Sequence, residues 1–306
     1  MSAETNGAVA AFAGLTVRYG RATAVEGVSL AVQKGEVYAL LGRNGSGKTS
    51  MIRCLLGQRK ACAGSAALFG LDAWRDRQPA MRRVGVVPES PDMPPALDAL
   101  ELANFCSRLY PTWDGKGVTS RLERFGVPAK VPFGRLSRGQ KNQLALALAL
   151  APMPEVLILD DPTLGLDAVA RREFFEELVG DLADRGTTVF ISTHDLHGIE
   201  GIASRVGILK AGHLLLDEEM EALKSKFRTV RWSGDAGPSP DAPSLAALSP
   251  LRVRRDAWGT EAVVRAFDEA AFARLVQDLA PSVVEASSLS LEELFIAMVG
   301  EEGGLS

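Results

Sequence analysis

Cysteine is scarce in this chain of 306 residues: there are three, Cys54, Cys62 and Cys106. An odd number with no C-x-x-C spacing argues against a disulfide framework or a cysteine zinc site, and fits a reducing cytoplasm. A basic excess is also lacking. Lys and Arg number 34 against 38 Asp and Glu, a formal net charge of −4. A general nucleic-acid binder needs cations to neutralise phosphates, so no nucleic-acid partner is expected. The small cluster Arg75, Arg77, Arg82 and Arg83 reads as a solvated face. No apolar run is long enough to cross a bilayer. The longest, Leu144 to Met153, is about half the length required, and Pro152 interrupts it. The opening MSAETNGAVAAFAG lacks the basic region and apolar core of a signal peptide. Work at a membrane would therefore need another chain to bring this one there. Internal repeats and long low-complexity tracts are absent too.

What is present suits a globular chain with a sizeable core: 46% of residues are hydrophobic and 24% charged. The length is a prior for two domains. Residues 9 to 40 read as short strands. LTVRYG and VEGVSLAV alternate apolar and polar positions, and EVYALL is a buried strand. A helix follows in which Ile52, Leu55 and Leu56 share a face, ended by Gly57. VGVVP is another apolar strand. PPALDALELANFCSRLY reads as a helix capped by Asp98 with Glu101 as its reciprocal partner, and Leu102, Phe105, Cys106 and Leu109 form its apolar stripe. LALALALA, residues 144–151, has the period of a strand but no polar contrast. Leu and Ala are strong helix formers, so it is expected to be a helix buried on most sides. VLILD and TTVFIST are strands with a helix between them. Such alternation implies a largely parallel sheet covered by helices, an α/β fold. Near residue 225 the character changes. A Pro/Gly/Ser/Asp loop at 235–244 is followed by a hairpin, a helix, a strand and a last helix capped by Ser290 with Glu293, a small α+β domain over residues 226–301.

The chemistry is concentrated in four places. Gly42-Arg43-Asn44-Gly45-Ser46-Gly47-Lys48-Thr49 fits G-x-x-x-x-G-K-[ST], with strand before and helix after. Glycines let successive N–H groups turn inward, and with the helix N-terminus they form an anion cradle that Ser50 continues. Lys48 would face the β- and γ-phosphates of a nucleoside triphosphate, and Thr49 would offer a hydroxyl to Mg²⁺. Asp160 ends an apolar strand, the expected place for an acid that holds Mg²⁺ through water. Asp161 follows it directly. LSRGQ, residues 136–140, and His194 in ISTHD complete the set.

Together these motifs resemble the ATP-binding-cassette (ABC) ATPases over nearly all of residues 9–222, each in the family's order. The resemblance implies a P-loop core over residues 9–225. It would hold a mixed, mainly parallel sheet with helices, an antiparallel β-subdomain, and a helical subdomain at about 90–150. It implies that ATP and Mg²⁺ bind, and that Tyr19 stacks on adenine. It assigns Leu136, Ser137, Arg138, Gly139 and Gln140 to a signature that contacts the γ-phosphate held by a second subunit. Gly165, Leu166 and Asp167 match the loop that crosses to that subunit, and His194 the histidine that contacts the γ-phosphate. His197 and His213 read as ordinary structural residues. One phosphate loop and one signature per chain imply a head-to-tail homodimer, or pairing with a related ATPase subunit. An integral membrane transporter subunit would dock near PDMPPALDALELANFCSRLYPTWD, where Phe105, Tyr110 and Trp113 line a groove or pack the subdomain. LYPTWD, PTLGLD and SLEELFIAMVG look most like bacterial type-2 exporter ATPases. The expected location is cytoplasmic, peripheral on the inner face of the cell membrane.

Three positions depart from the family pattern. Arg138 stands where glycine is usual. Glu89 stands in place of a glutamine that helps bind Mg²⁺, and keeps an oxygen ligand while adding charge. Asp161 stands where the family has its general-base glutamate. It keeps the basic group and loses one CH₂, so its oxygens retreat by about 1.5 Å. Slow hydrolysis is expected from the shortened reach. Two other readings follow. The chain is an ATP-binding gate with little hydrolysis that regulates a membrane partner, or an ABC ATPase outside transport. Against the last, no long heptad coiled coil separates Lys48 from Leu136, and there is only one cassette.

Overall fold

A computed structural model describes residues 7–233, 243–256, 259–279 and 283–300. The chain divides into two compact units, Met1–Asp217 and Glu218–Ser306.

The first unit opens with β1 (Ala8–Tyr19) and β2 (Ala22–Gln33), an antiparallel pair of twelve residues each. Both are longer than the short strands expected. β1 begins in the small-residue run AVAAFAG and bends at register shifts on either side of Leu15, with Gly14 at φ 55°. β3 (Val37–Leu41) follows, then α1 (Lys48–Leu55), β4 (Ala63–Leu68) and the short β5 (Leu71–Asp72). Strands β2-β1-β4-β5 make an antiparallel sheet. Next come α2 (Arg77–Met81), β6 (Val84–Val87), α3 (Ala99–Ser107), α4 (Gly115–Arg124), α5 (Arg138–Leu150), β7 (Val156–Asp160), α6 (Ala168–Arg185), β8 (Thr188–Thr193), α7 (Leu196–Glu200), β9 (Arg205–Lys210) and β10 (His213–Glu219).

The main sheet runs β10-β9-β3-β8-β7-β6, and β9, β3, β8, β7 and β6 pair in parallel. VYALL, VLILD and TVFIST are buried along their whole length, as strands covered on both faces must be. One core joins this sheet, α1 and the antiparallel sheet. Phe12 and Tyr38 both pack on Phe190, with ring centroids 6.0 and 5.6 Å away.

The helical layer forms largely as expected. Asp98 and Glu101 cap α3 reciprocally, each at 2.9 Å. Every residue of α5 from Asn142 to Leu150 is buried, so LALALALA is helix. The stripe of α3 needs correction. Leu102 is buried, but Phe105 and Leu109 are 58% and 62% exposed. α3 ends at Ser107, so Leu109 lies beyond the helix that would have carried the stripe. Between α4 and α6 lies an ionic seam. Arg121 bonds Glu177 at 2.6 Å and reaches Asp114 at 3.7 Å and Asp181 at 4.0 Å. Arg124 also pairs with Glu177, and Arg185 with Asp114 and Asp181 at 3.4 and 3.5 Å.

The second unit holds α8 (Met220–Lys226), β11 (Arg228–Ser233), α9 (Pro243–Ala246), β12 (Pro250–Asp256), β13 (Gly259–Val264), α10 (Glu269–Asp278), β14 (Val284–Ser288) and α11 (Leu291–Val299). Its antiparallel sheet, β12-β13-β11-β14, packs Val230, Trp232, Ala262 and Val264 against Leu275 and Leu279. Ser290 and Glu293 cap α11 as expected. Most of the loop expected at 235–244, and the hairpin turn at 257–258, lie outside the described residues. The division at 217 falls before the composition change near 225, because α8 belongs with this unit: Lys226 O accepts from Phe267 N at 2.9 Å.

Candidate nucleotide site

Parallel register brings the chemistry to one edge. Leu41 pairs with Thr193, and Asp160 with Ser192, so β3, β8 and β7 end side by side. The loops that leave them carry Gly42–Gly47, Asp161 and His194. Ligands of open α/β sheets bind outside such carboxyl ends.

The phosphate loop is built by left-handed backbone. Gly45 has φ 80° and Gly47 φ 114°, and a Cβ at Gly47 would collide with Ala24 O. Ser46 N donates to Arg43 O at 3.1 Å, closing the turn. The Ser46 hydroxyl is buried without a hydrogen-bond partner among the described residues. Arg43 and Asn44 are exposed at the tip. Lys48, 7% exposed, donates from Nζ to Gly42 O at 2.7 Å and Arg43 O at 3.4 Å. Burial lowers its pKa, while the charges of Asp161, Asp160 and Glu89 act to raise it. Three carboxylates therefore face one buried ammonium.

Asp160 Oδ1 accepts from Ser192 Oγ at 2.6 Å and from Thr49 Oγ1 at 3.3 Å. Glu89 is exposed on the loop after β6. A hydroxyl and two carboxylates are hard oxygen donors, the kind Mg²⁺ takes. The glycine cradle and the unpartnered Ser46 hydroxyl fit a phosphate in the same way.

Asp161 sits in left-handed backbone at φ 47°, where aspartate is tolerated better than most residues. Its N donates to Ser192 O at 2.8 Å. Its Oδ2 lies 2.7 Å from His194 Nδ1, and its Oδ1 is buried with no partner among the described residues. The sequence motifs give the two residues separate roles. Here they form a pair, with His194 half exposed and Asp161 behind it.

Tyr19 is 40% exposed, with its hydroxyl 3.4 Å from Ser50 Oγ. Arg59, which sequence reading did not single out, lies over one face of its ring at 3.8 Å and donates to Arg18 O. No motif contains Arg59, and only the fold brings it to Tyr19. In LSRGQ, Ser137 and Gln140 are a reciprocal cap of α5, at 3.2 and 3.0 Å. Leu136 is buried, Ser137 and Arg138 are exposed, and Gly139 is half-buried. Gly165 has φ 85°, Leu166 is buried, and Asp167 accepts from Ala170 N at 2.9 Å at the start of α6.

The family model described as ABC transporter matches residues 25–164. Over 217 residues the chain is 36% identical to the bacitracin transport ATP-binding protein BcrA of Bacillus licheniformis, spanning 70% of this chain and 71% of that one. The chain belongs to the ABC transporter family. Within it, this is an ATP-binding subunit of the ABC ATPase fold. Two relatives match nearly end to end. The Nod factor export ATP-binding protein I of Paraburkholderia xenovorans is 32% identical over 296 residues, 93% of this chain and 94% of that one. The ABC transporter ATP-binding protein YtrB of Bacillus subtilis is 29% identical over 276 residues, 89% and 92% of the two chains. A solved dimeric ABC cassette in a post-hydrolysis state with ADP and phosphate shares the fold. Its TM-score is 0.62 at 24% identity, over 69% of this chain and 98% of that one.

Proposed function

We propose that this ABC subunit hydrolyses Mg-ATP as a head-to-tail pair and drives a separate integral membrane subunit of a bacterial exporter. The observation that carries the proposal is the convergence of Lys48, Thr49, Asp160, Asp161 and His194 at the ends of three adjacent parallel strands.

Lys48 exchanges Gly42 O and Arg43 O for the β- and γ-phosphate oxygens, and the turned N–H groups of Gly45 to Thr49 line the cradle. Thr49, Asp160 and Glu89 would hold Mg²⁺, which supplies charge neutralisation at the phosphates. Tyr19 receives adenine on the ring face that Arg59 leaves open. Ser137 and the N-terminus of α5 offer donors to the γ-phosphate held by a second copy, and Arg138 adds a cation there. Asp161 accepts the proton of the attacking water, and the bond to His194 Nδ1 orients both groups. The short side chain of Asp161 slows this step.

Leu100, Phe105 and Leu109 are exposed in the helical subdomain, and the rings of Tyr110 and Trp113 stack with centroids 6.2 Å apart. An apolar patch of this kind suits the membrane subunit. It would hold the chain on the inner face of the membrane; among the described residues no helix is long and apolar enough to cross one. Two relatives named for bacitracin transport and Nod factor export support the exporter reading.

Phosphate release by the purified chain tests the proposal. Lys48→Ala should lose most ATP affinity in calorimetry and all specific turnover. A Lys48→Ala variant that binds and hydrolyses ATP like the parent would overturn the site.

A further inference from the structure

Asn142 lies fully buried in the second turn of α5, in a helix whose interior is otherwise almost all Leu and Ala. Its Nδ2 donates to Pro162 O at 3.0 Å and to Leu164 O at 3.2 Å. Two carbonyls require a donor, so the amide can point only one way. The price of that orientation is Asn142 Oδ1, buried with no partner among the described residues. A leucine would avoid that orphan but would take the donor from Pro162 O and Leu164 O. The position therefore holds a polar group for what it does to the loop it touches.

That loop begins at the base. Leu164 N donates to Asp161 O at 3.2 Å and Leu166 N to Thr163 O at 3.1 Å, so residues 161–166 form two linked turns. The start of α5 also touches it. A Cβ at Gly165 would come within 2.8 Å of Arg138 Cδ, and one at Gly139 within 3.2 Å of Leu166 Cδ2. Arg138 and Gly139 belong to LSRGQ. The signature and the loop after β7 thus form one packed body, and Asn142 is its buried hydrogen-bonded tie.

We infer that Asn142 is a positioning residue that couples the two composite sites of the pair. It rests on the head-to-tail reading above. The N-terminus of α5 engages a phosphate held by the second copy. Asn142 carries the resulting placement of α5 to Pro162 and Leu164, and so to Asp161 in the first copy's own site. Each chain's base is set when that chain's signature closes on its neighbour's nucleotide. Arg138, at the position where glycine is usual, thickens the same contact by lying along Gly165.

The test uses the full chain with Asn142→Ala and Asn142→Ser, two substitutions that shorten the side chain below the reach of the carbonyls. Asn142→Gln keeps the donor. Calorimetry in the Asp161→Asn background should give ATP affinity within about twofold of the same background with Asn142 intact. At saturating Mg-ATP, kcat should fall on the order of tenfold or more with little change in KM, since about 1 Å of misplacement costs on the order of 10²-fold in rate. Asn142→Gln, which keeps the donor on a side chain one CH₂ longer, should recover part of it. In the Asp161→Asn background the Ala and Ser variants should cause little further loss, because the tie acts through Asp161. A parental kcat in a cooperatively melting Ala or Ser variant overturns the inference. So does an equal loss with Asp161 already replaced. Light scattering separates this from the parent reading: no ATP-dependent mass increase of Asp161→Asn sinks the head-to-tail pair itself.

Discussion

Replacing Asp161 by asparagine isolates one property, the ability to take a proton. The backbone there is left-handed at φ 47°, and asparagine tolerates it as aspartate does. The Asp161 N–H to Ser192 O bond involves only main chain and survives. An amide oxygen can still accept from His194 Nδ1 across 2.7 Å. Shape, ATP binding and melting temperature should therefore hold. General-base catalysis contributes about 10²- to 10⁴-fold, which is about 3–5 kcal/mol of barrier at 1.36 kcal/mol per decade. Turnover of Asp161→Asn should fall by at least about 10²-fold from the parental rate. Asp161→Glu carries the opposite lesson. Its extra carbon moves the carboxylate by about 1.5 Å, past the present contact with His194. A longer side chain in left-handed backbone also costs on the order of 1 kcal/mol. We expect a lower melting temperature and no gain in turnover. The assay is phosphate release at saturating Mg-ATP, with Lys48→Ala reporting contamination. An asparagine variant as fast as the parent removes Asp161 from the role of base. A glutamate variant both faster and equally stable refutes the backbone argument.

The proposed adenine platform can be tested apart from the phosphates. Tyr19→Ala should weaken ATP binding by about 1–3 kcal/mol, the range for a base on an aromatic ring. Arg59→Ala should weaken it by about 0.5–1 kcal/mol, while tripolyphosphate binds parent and variants alike. Equal losses for tripolyphosphate in Arg59→Ala would assign the cation to the phosphates instead. Tyr38 gives a pH prediction. Burial, then Asp217 at 3.1 Å, raise its pKa well above the ordinary value of 10.0. The folded chain thus keeps this proton where the unfolded chain loses it. The associated stability is intact below pH 10.0 and is lost as pH rises through the folded pKa. The parent's melting temperature should fall more steeply above pH 10.0 than that of Tyr38→Phe; parallel curves would contradict the assignment.

Local order made much of this legible. The phosphate loop, the buried strands and the caps at Asp98 and Ser290 are contiguous motifs, and each forms where its residues indicate. The helix at 144–151 was readable because composition outweighs period when both residue types are apolar. Phe105 and Leu109 depart from the stripe for two reasons: α3 ends at Ser107, before Leu109, and Phe105 is left exposed. Period says which residues share a face, not what covers that face. The Asp161–His194 pair depends on β7 and β8 lying in parallel register, a relation between segments 33 residues apart. Arg59 on Tyr19 and Asn142 on Pro162 are likewise products of tertiary packing. Composition changes near residue 225, whereas the contacts divide the chain after Asp217, because α8 is compositionally ordinary and is assigned by its contacts.

The ionic seam between α4 and α6 has a mechanical consequence. Two oily surfaces that slide must expose hydrocarbon before they meet again, so they tend to stick in one position. A row of forked cations facing several acids behaves more like meshed gear teeth. Arg121 grips Glu177 at 2.6 Å with Asp181 waiting at 4.0 Å, and Arg185 already shares Asp114 and Asp181. Arg121 and Glu177 are both buried, so pulling them apart would strip two charges bare, at about 3–5 kcal/mol. Such a joint fixes the register of α4 against α6, one tooth to one gap.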